Sequence, residues 1–156
     1  MIRCLVLVAA LWLAADQRPA TTPAMIEVER AFQLLTESQF DAARAEFTRL
    51  IAAARIAEDH AVIGEASRGL ARLATRERKF DDARALLMTA IAEADLAGID
   101  YLAGVALNDL GFIAWSQGRP AEVRKFYGEA VVRFDRARAW PEQARRYAGS
   151  WQQDVA

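Results

Sequence analysis

An enzyme holds a nucleophile, an acid or base, or a metal in one place. This chain of 156 residues offers few groups for that work. Its single cysteine, Cys4, stands at the front of an apolar run, away from any partner thiol. Its single histidine, His60, sits in "EDHAVIG" beside Asp59 and reads as a solvated link residue. A transition-metal site would need further His or Cys ligands. Gly98, Gly104 and Gly111 are scattered and form no phosphate loop. The acidic pairs Glu58-Asp59 and Asp81-Asp82 fall at helix ends, where capping accounts for them. No catalytic residue, metal or cofactor is assigned.

What remains is recognition chemistry. Arg68, Arg72 and Arg76 recur every fourth residue and share one stripe of a helix. Like charges at that spacing weaken a helix by about 0.2–0.5 kcal/mol per pair. The stripe reads in two ways. It is a row of planar donor forks aimed at carboxylates, or it is a solvated face with Glu65 and Glu77 as partners. The overall balance, 20 basic against 21 acidic residues and a net charge of −1, excludes a general nucleic-acid binder.

The elements that position these residues follow from a repeat. "SQFDAARAEF" begins at Ser38, "RKFDDARALL" at Arg78 and "GRPAEVRKFY" at Gly118. With rows offset by 40, Ala43, Ala83 and Val123 align, then Arg44, Arg84 and Arg124, then Phe47, Leu87 and Tyr127. Ala31, Ala71 and Gly111 form a small-residue column. Leu70 and Leu110 align beside it, with Arg30 in the first row. No gap is needed, and a fixed period of this size means stacked repeats. Hydrophobic content is 54% and rich in alanine, the best helix former. Each row therefore reads as two helices. The first members are about 25–37, 61–77 and 101–117, and the second about 41–57, 80–97 and 120–138. Asp41 and Asp81 are expected to meet the free N–H groups at helix starts. Pro120 suits a first helical position and Gly118 a helix stop.

These residues resemble the tetratricopeptide (TPR) family over roughly 25–138. "ALNDLG" (Ala106–Gly111) matches the Leu-Gly of its first helix. "FDAARAEF" (Phe40–Phe47) and "FDDARALL" (Phe80–Leu87) match the aromatic-Asp-x-Ala signature of its second. The period of 40 departs from the usual 34, and the six extra residues are expected between hairpins, as in the long variant of the repeat. Ala114 stands where the usual Tyr would be, and the closing Pro is absent. The resemblance implies an all-α fold: a right-handed α-solenoid of three antiparallel hairpins (25–60, 61–100 and 101–140). It also implies a concave groove lined by the first helices, which holds an extended peptide or a partner helix. Its positions are then Val28, Glu29, Phe32, Leu35 and Thr36 in row one. Row two gives Glu65, Arg68, Gly69, Arg72, Thr75 and Arg76, and row three Val105, Asn108, Asp109, Phe112, Trp115 and Ser116. The assigned partner-binding set is Arg68, Arg72, Arg76, Asn108, Asp109, Phe112 and Trp115. The expected function is a non-catalytic adaptor or scaffold that binds another protein or peptide, one with an acidic segment where the stripe serves as a row of donor forks and not as a solvated face.

The two ends complete the layout. Met1–Arg3 followed by "CLVLVAALWLAA" (Cys4–Ala15) has the form of a secretory signal peptide and is short for a membrane span of about 20 residues. Cleavage after Ala15 leaves a polar linker over 16–24; cleavage after Ala24 removes it. The chain is then periplasmic or extracellular, and membrane-anchored if the segment stays. "PEQARRYAGSWQQDV" (Pro141–Val155) has an apolar and a wet face, as a capping helix over 141–156 requires. The alternative to an adaptor is self-association into a homo-oligomer through the outer face of the weak first row.

Overall fold

The computed structural model describes residues 19–138. The expected signal peptide and capping helix lie outside the described residues. Among the described residues the fold is six α-helices with no strand. They are α1 (Pro23–Thr36), α2 (Phe40–Ala57), α3 (His60–Arg76), α4 (Phe80–Ala97), α5 (Asp100–Ser116) and α6 (Pro120–Ala137). Every boundary falls within two residues of its expected place.

Local chemistry sets these limits. At the start of α1, Thr22 Oγ1 accepts a hydrogen bond from the Met25 N–H at 3.1 Å, and Pro23 occupies the first turn. A cut after Ala24 would remove that cap, whereas a cut after Ala15 leaves it. Asp41 and Asp81 lie in the first turns of α2 and α4, at the helix starts as expected, but they are not the capping residues. The capping positions are Gln39 and Lys79, without side-chain cap bonds, and the two aspartates lie in the first turn behind Phe40 and Phe80. They act on the helix dipole from there. Asp59 does cap, accepting from the Val62 N–H at 3.1 Å.

The period of 40 is filled by helix rather than loop. α3 has 17 residues and α4 has 18. Residues 77–79 turn within the hairpin, and residues 98–99 link it to the next. The expected extra loop between hairpins is therefore absent, because the added residues lengthen the helices. Each turn passes through the left-handed region at Ser38, Arg78 and Gly118, and each helix pair ends on a left-handed Glu58, Gly98 or Arg138. The same backbone closure recurs: Gln39 N–H to Leu34 O, Lys79 N–H to Ala74 O and Arg119 N–H to Ala114 O, at 2.9–3.0 Å. Backbone bonds define the turn, so its residue types vary between rows.

Consecutive helices pack in order, and α1 also touches α3, as α3 touches α5. α3 takes part in two adjoining cores. Its Val62, Ile63, Ala66 and Leu73 join Val28, Phe47 and Leu50, while its Ala71 and Ala74 join Leu87, Leu110 and Phe134. Glycines set the closest approaches. A Cβ at Gly111 would lie 2.5 Å from the Tyr127 ring, and one at Gly104 would lie 2.6 Å from the Phe134 ring. A bulkier residue there would push the helices apart. Gly111 belongs to the small-residue column and Tyr127 to the large one, which gives those columns their physical meaning.

Candidate functional site on the first helices

In the register of 40, Phe32, Arg72 and Phe112 occupy corresponding positions of α1, α3 and α5, and Leu35, Thr75 and Trp115 the next. The three arginines of α3 prove to have different settings.

Arg68 is an internal residue. Its side chain is only 14% exposed. It donates to Glu65 at 2.7 Å on its own helix and reaches Asp109 on α5 at 3.4 Å. Its guanidinium also lies 4.7 Å from the centre of the Phe32 ring. Burial works against the charge, yet Glu65 and Asp109 hold its pKa above the ordinary arginine range. Two members of the expected binding set, Arg68 and Asp109, therefore bind each other and tie α3 to α5.

Arg72 and Arg76 are exposed and are placed against aromatic rings. Arg72 lies 5.9 Å from the Phe32 ring centre, and Arg76 stacks over Phe40 at 4.0 Å. Neither forms a salt bridge among the described residues. Glu77, the partner expected nearby, is engaged by Arg44 and by Lys79, the latter at 2.8 Å. Its Lys79 hydrogen bond, with Arg44 close by, holds its carboxyl below the usual range.

On α5, Phe112 and Trp115 are 49% and 65% exposed. Their ring centres are 5.9 Å apart at a tilt of 34°. Asn108 beside them is half-buried. Of the wider groove positions, Val28, Glu65 and Gly69 are buried and belong to the core, while Glu29, Thr36 and Ser116 remain exposed. Sequence reasoning missed Phe40 as the platform under Arg76; Phe40 opens α2 in the preceding hairpin, and nothing local to either residue reveals the contact.

His60 is not a solvated link residue. It is the first residue of α3, half-buried, with its Nδ1 2.7 Å from Glu93 Oε2. Forty residues on, Asp100 and Arg133 make the corresponding pair at 2.7 Å with the acid and the base exchanged. This pattern belongs to packing. Among the described residues, no group of three or more His, Cys, Asp or Glu side chains is placed to hold a metal, and no helix is long and apolar enough to cross a membrane. Comparison with family models, with curated proteins and with solved structures finds no match for this chain.

Proposed function

We propose that this chain is a TPR-like right-handed α-solenoid that binds another protein on the face formed by α1, α3 and α5, and does no chemistry itself. The observation that carries this reading is the aromatic pair Phe112 and Trp115. Two large rings stand on one helix face, 49% and 65% exposed, and neither is used to build the core. Large aromatic side chains left accessible are among the residue types that dominate protein interfaces. The lengthened helices support the reading, since they extend the available face along each hairpin. The apolar run Cys4–Ala15 adds that the protein works outside the cytoplasm.

The test is retention. The chain is immobilised, envelope extract from its source cells is passed over it, and the retained proteins are identified beside a Phe112→Ala/Trp115→Ala variant. The expected result is a protein held by the native chain and lost by the variant. An identical retained set from both would remove this face as the binding surface.

A further inference from the structure

We infer that the segment Pro141–Val155, which lies outside the described residues, docks along α5 on Phe112 and Trp115 and competes there with the protein partner. This names a regulation of the face proposed above and rests on that reading.

The course of the chain points to α5. Two exits lead from one hairpin to the next, at Glu58 and at Gly98, and both are left-handed. Within two residues of each, the chain turns back as α3 or as α5. Arg138 ends α6 in the same conformation. Its N–H donates to the Asp135 carbonyl at 3.2 Å, as the Gly98 N–H donates to that of Asp95 at 3.1 Å. The residues after Arg138 are therefore sent beside α5, as α3 is sent beside α1 and α5 beside α3.

The offset between neighbouring first helices says which residues meet. The Phe32 ring of α1 faces Arg68 and Arg72 of α3, 36 and 40 residues later. The same offset takes Phe112 to Ala148 and Gln152, and Trp115 to Trp151 and Val155. Ala148, Trp151 and Val155 belong to the apolar face of the segment. Phe32, covered in this way, is half-buried, whereas Phe112 at the same position is 49% exposed. Aromatic rings so placed attract one another beyond the area that they bury.

The rest of the segment makes the contact a displaceable one. Val62, Ala66 and Leu70 of α3, and Leu102, Ala106 and Leu110 of α5, join cores shared with the preceding hairpin. In the register of 40 the segment has Glu142, Arg146 and Ser150 at those positions. Burial of such groups without partners is costly, so the segment does not enter a core as α3 and α5 do. Its apolar far end holds it, and a partner with large apolar side chains takes its place.

The experiment uses the full chain and a fluorescein-labelled peptide of residues 139–156, read by anisotropy. Trp151→Ser/Val155→Ser in the chain vacates the aromatic pair. That variant is expected to bind the peptide about tenfold more tightly than the native chain, whose own segment competes. Adding Phe112→Ala/Trp115→Ala should remove the gain, and Trp151→Phe, which keeps a ring, should behave as the native chain. Melting above the assay temperature confirms that each variant is folded. In the retention experiment, Trp151→Ser/Val155→Ser should hold roughly threefold more of the protein that the native chain holds. Equal peptide binding by the native chain and Trp151→Ser/Val155→Ser, or a gain that survives Phe112→Ala/Trp115→Ala, overturns the docking and leaves the reading of the face to the retention result. A gain in peptide binding without a gain in retained protein overturns the competition. If the peptide binds as expected and no chain retains a protein, the protein-binding reading fails while the docking stands.

Discussion

Gly69 and Gly128 both lie inside helices, in α3 and α6, and their surroundings give the same substitution opposite signs. A Cβ at Gly128 meets nothing within 4 Å. Gly128→Ala removes backbone freedom from the unfolded chain at no steric cost and is expected to stabilise by about 1 kcal/mol. A Cβ at Gly69 falls well under 3.0 Å from three carbons of the Phe47 ring. That ring is fully buried and packs edge-on against Phe32, with centres 5.0 Å apart, so it has little room to yield. Overpacking of this kind costs about 1–3 kcal/mol, and it outweighs the helix-forming gain of alanine. Gly69→Ala should therefore destabilise, by about 1–2 kcal/mol after that offset. Urea melts of the two variants decide the matter; a gain at Gly69 would show that the Phe47 ring can move aside.

At the scale of elements, one arginine column links successive hairpins. Arg44 on α2 pairs with Glu77 at the end of α3, and Arg84 on α4 pairs with Glu122 on α6. Row three carries Gln117 where row two has Glu77. The Arg84 Nε and the Gln117 Oε1 are both buried without a hydrogen-bond partner. The repeat register places these two groups opposite each other, as Arg44 is opposite Glu77. Gln117→Glu is expected to stabilise by about 0.5–1 kcal/mol, and to give nothing when Arg84 is already alanine. The carboxyls of Glu77 and Glu122 are held below their ordinary value of 4.5, first by hydrogen bonds from Lys79 and Arg84 respectively. A folded pKa below the unfolded one adds stability above the unfolded pKa and loses it as pH falls through the folded value. The links between hairpins should thus weaken on acidification below about pH 4.5, and melting followed down the acid range checks this. The helices themselves were legible because the register of 40 repeats their faces without a gap. The pairings across rows were not. Arg68 and Asp109 each read as groove residues, and nothing local to either reveals that they meet across 41 positions. His60 was likewise read as a link residue because its partner Glu93 lies on another helix.

At the scale of the whole molecule, the outer face of the first hairpin differs in residue type from the faces that meet between hairpins. Leu70 packs against the core shared by α1, α2 and α3, and Leu110 is fully buried in the next core. This column faces the preceding hairpin. Row one has Arg30 in that column, exposed, with no hairpin among the described residues before it. Around Arg30, a shallow depression of about 490 Å³ is lined by Gln33, Leu34, Glu37, Ala42 and Glu46. A polar outer face on a terminal repeat keeps a stack from growing. The self-association expected of row one would have to use this surface, and desolvating its charged groups opposes that. Arg30→Leu restores the residue of rows two and three and joins Leu34 and Ala42 in one apolar patch. The native chain is expected to keep a single, concentration-independent mass in light scattering. The Arg30→Leu variant should gain mass with concentration, since a self-complementary apolar patch favours a two-fold dimer. If the native chain itself grows with concentration, the charged face is no barrier and the first row is a docking surface after all. If neither chain grows, closure of this end does not depend on Arg30, and the remaining charges Glu37 and Glu46 must suffice.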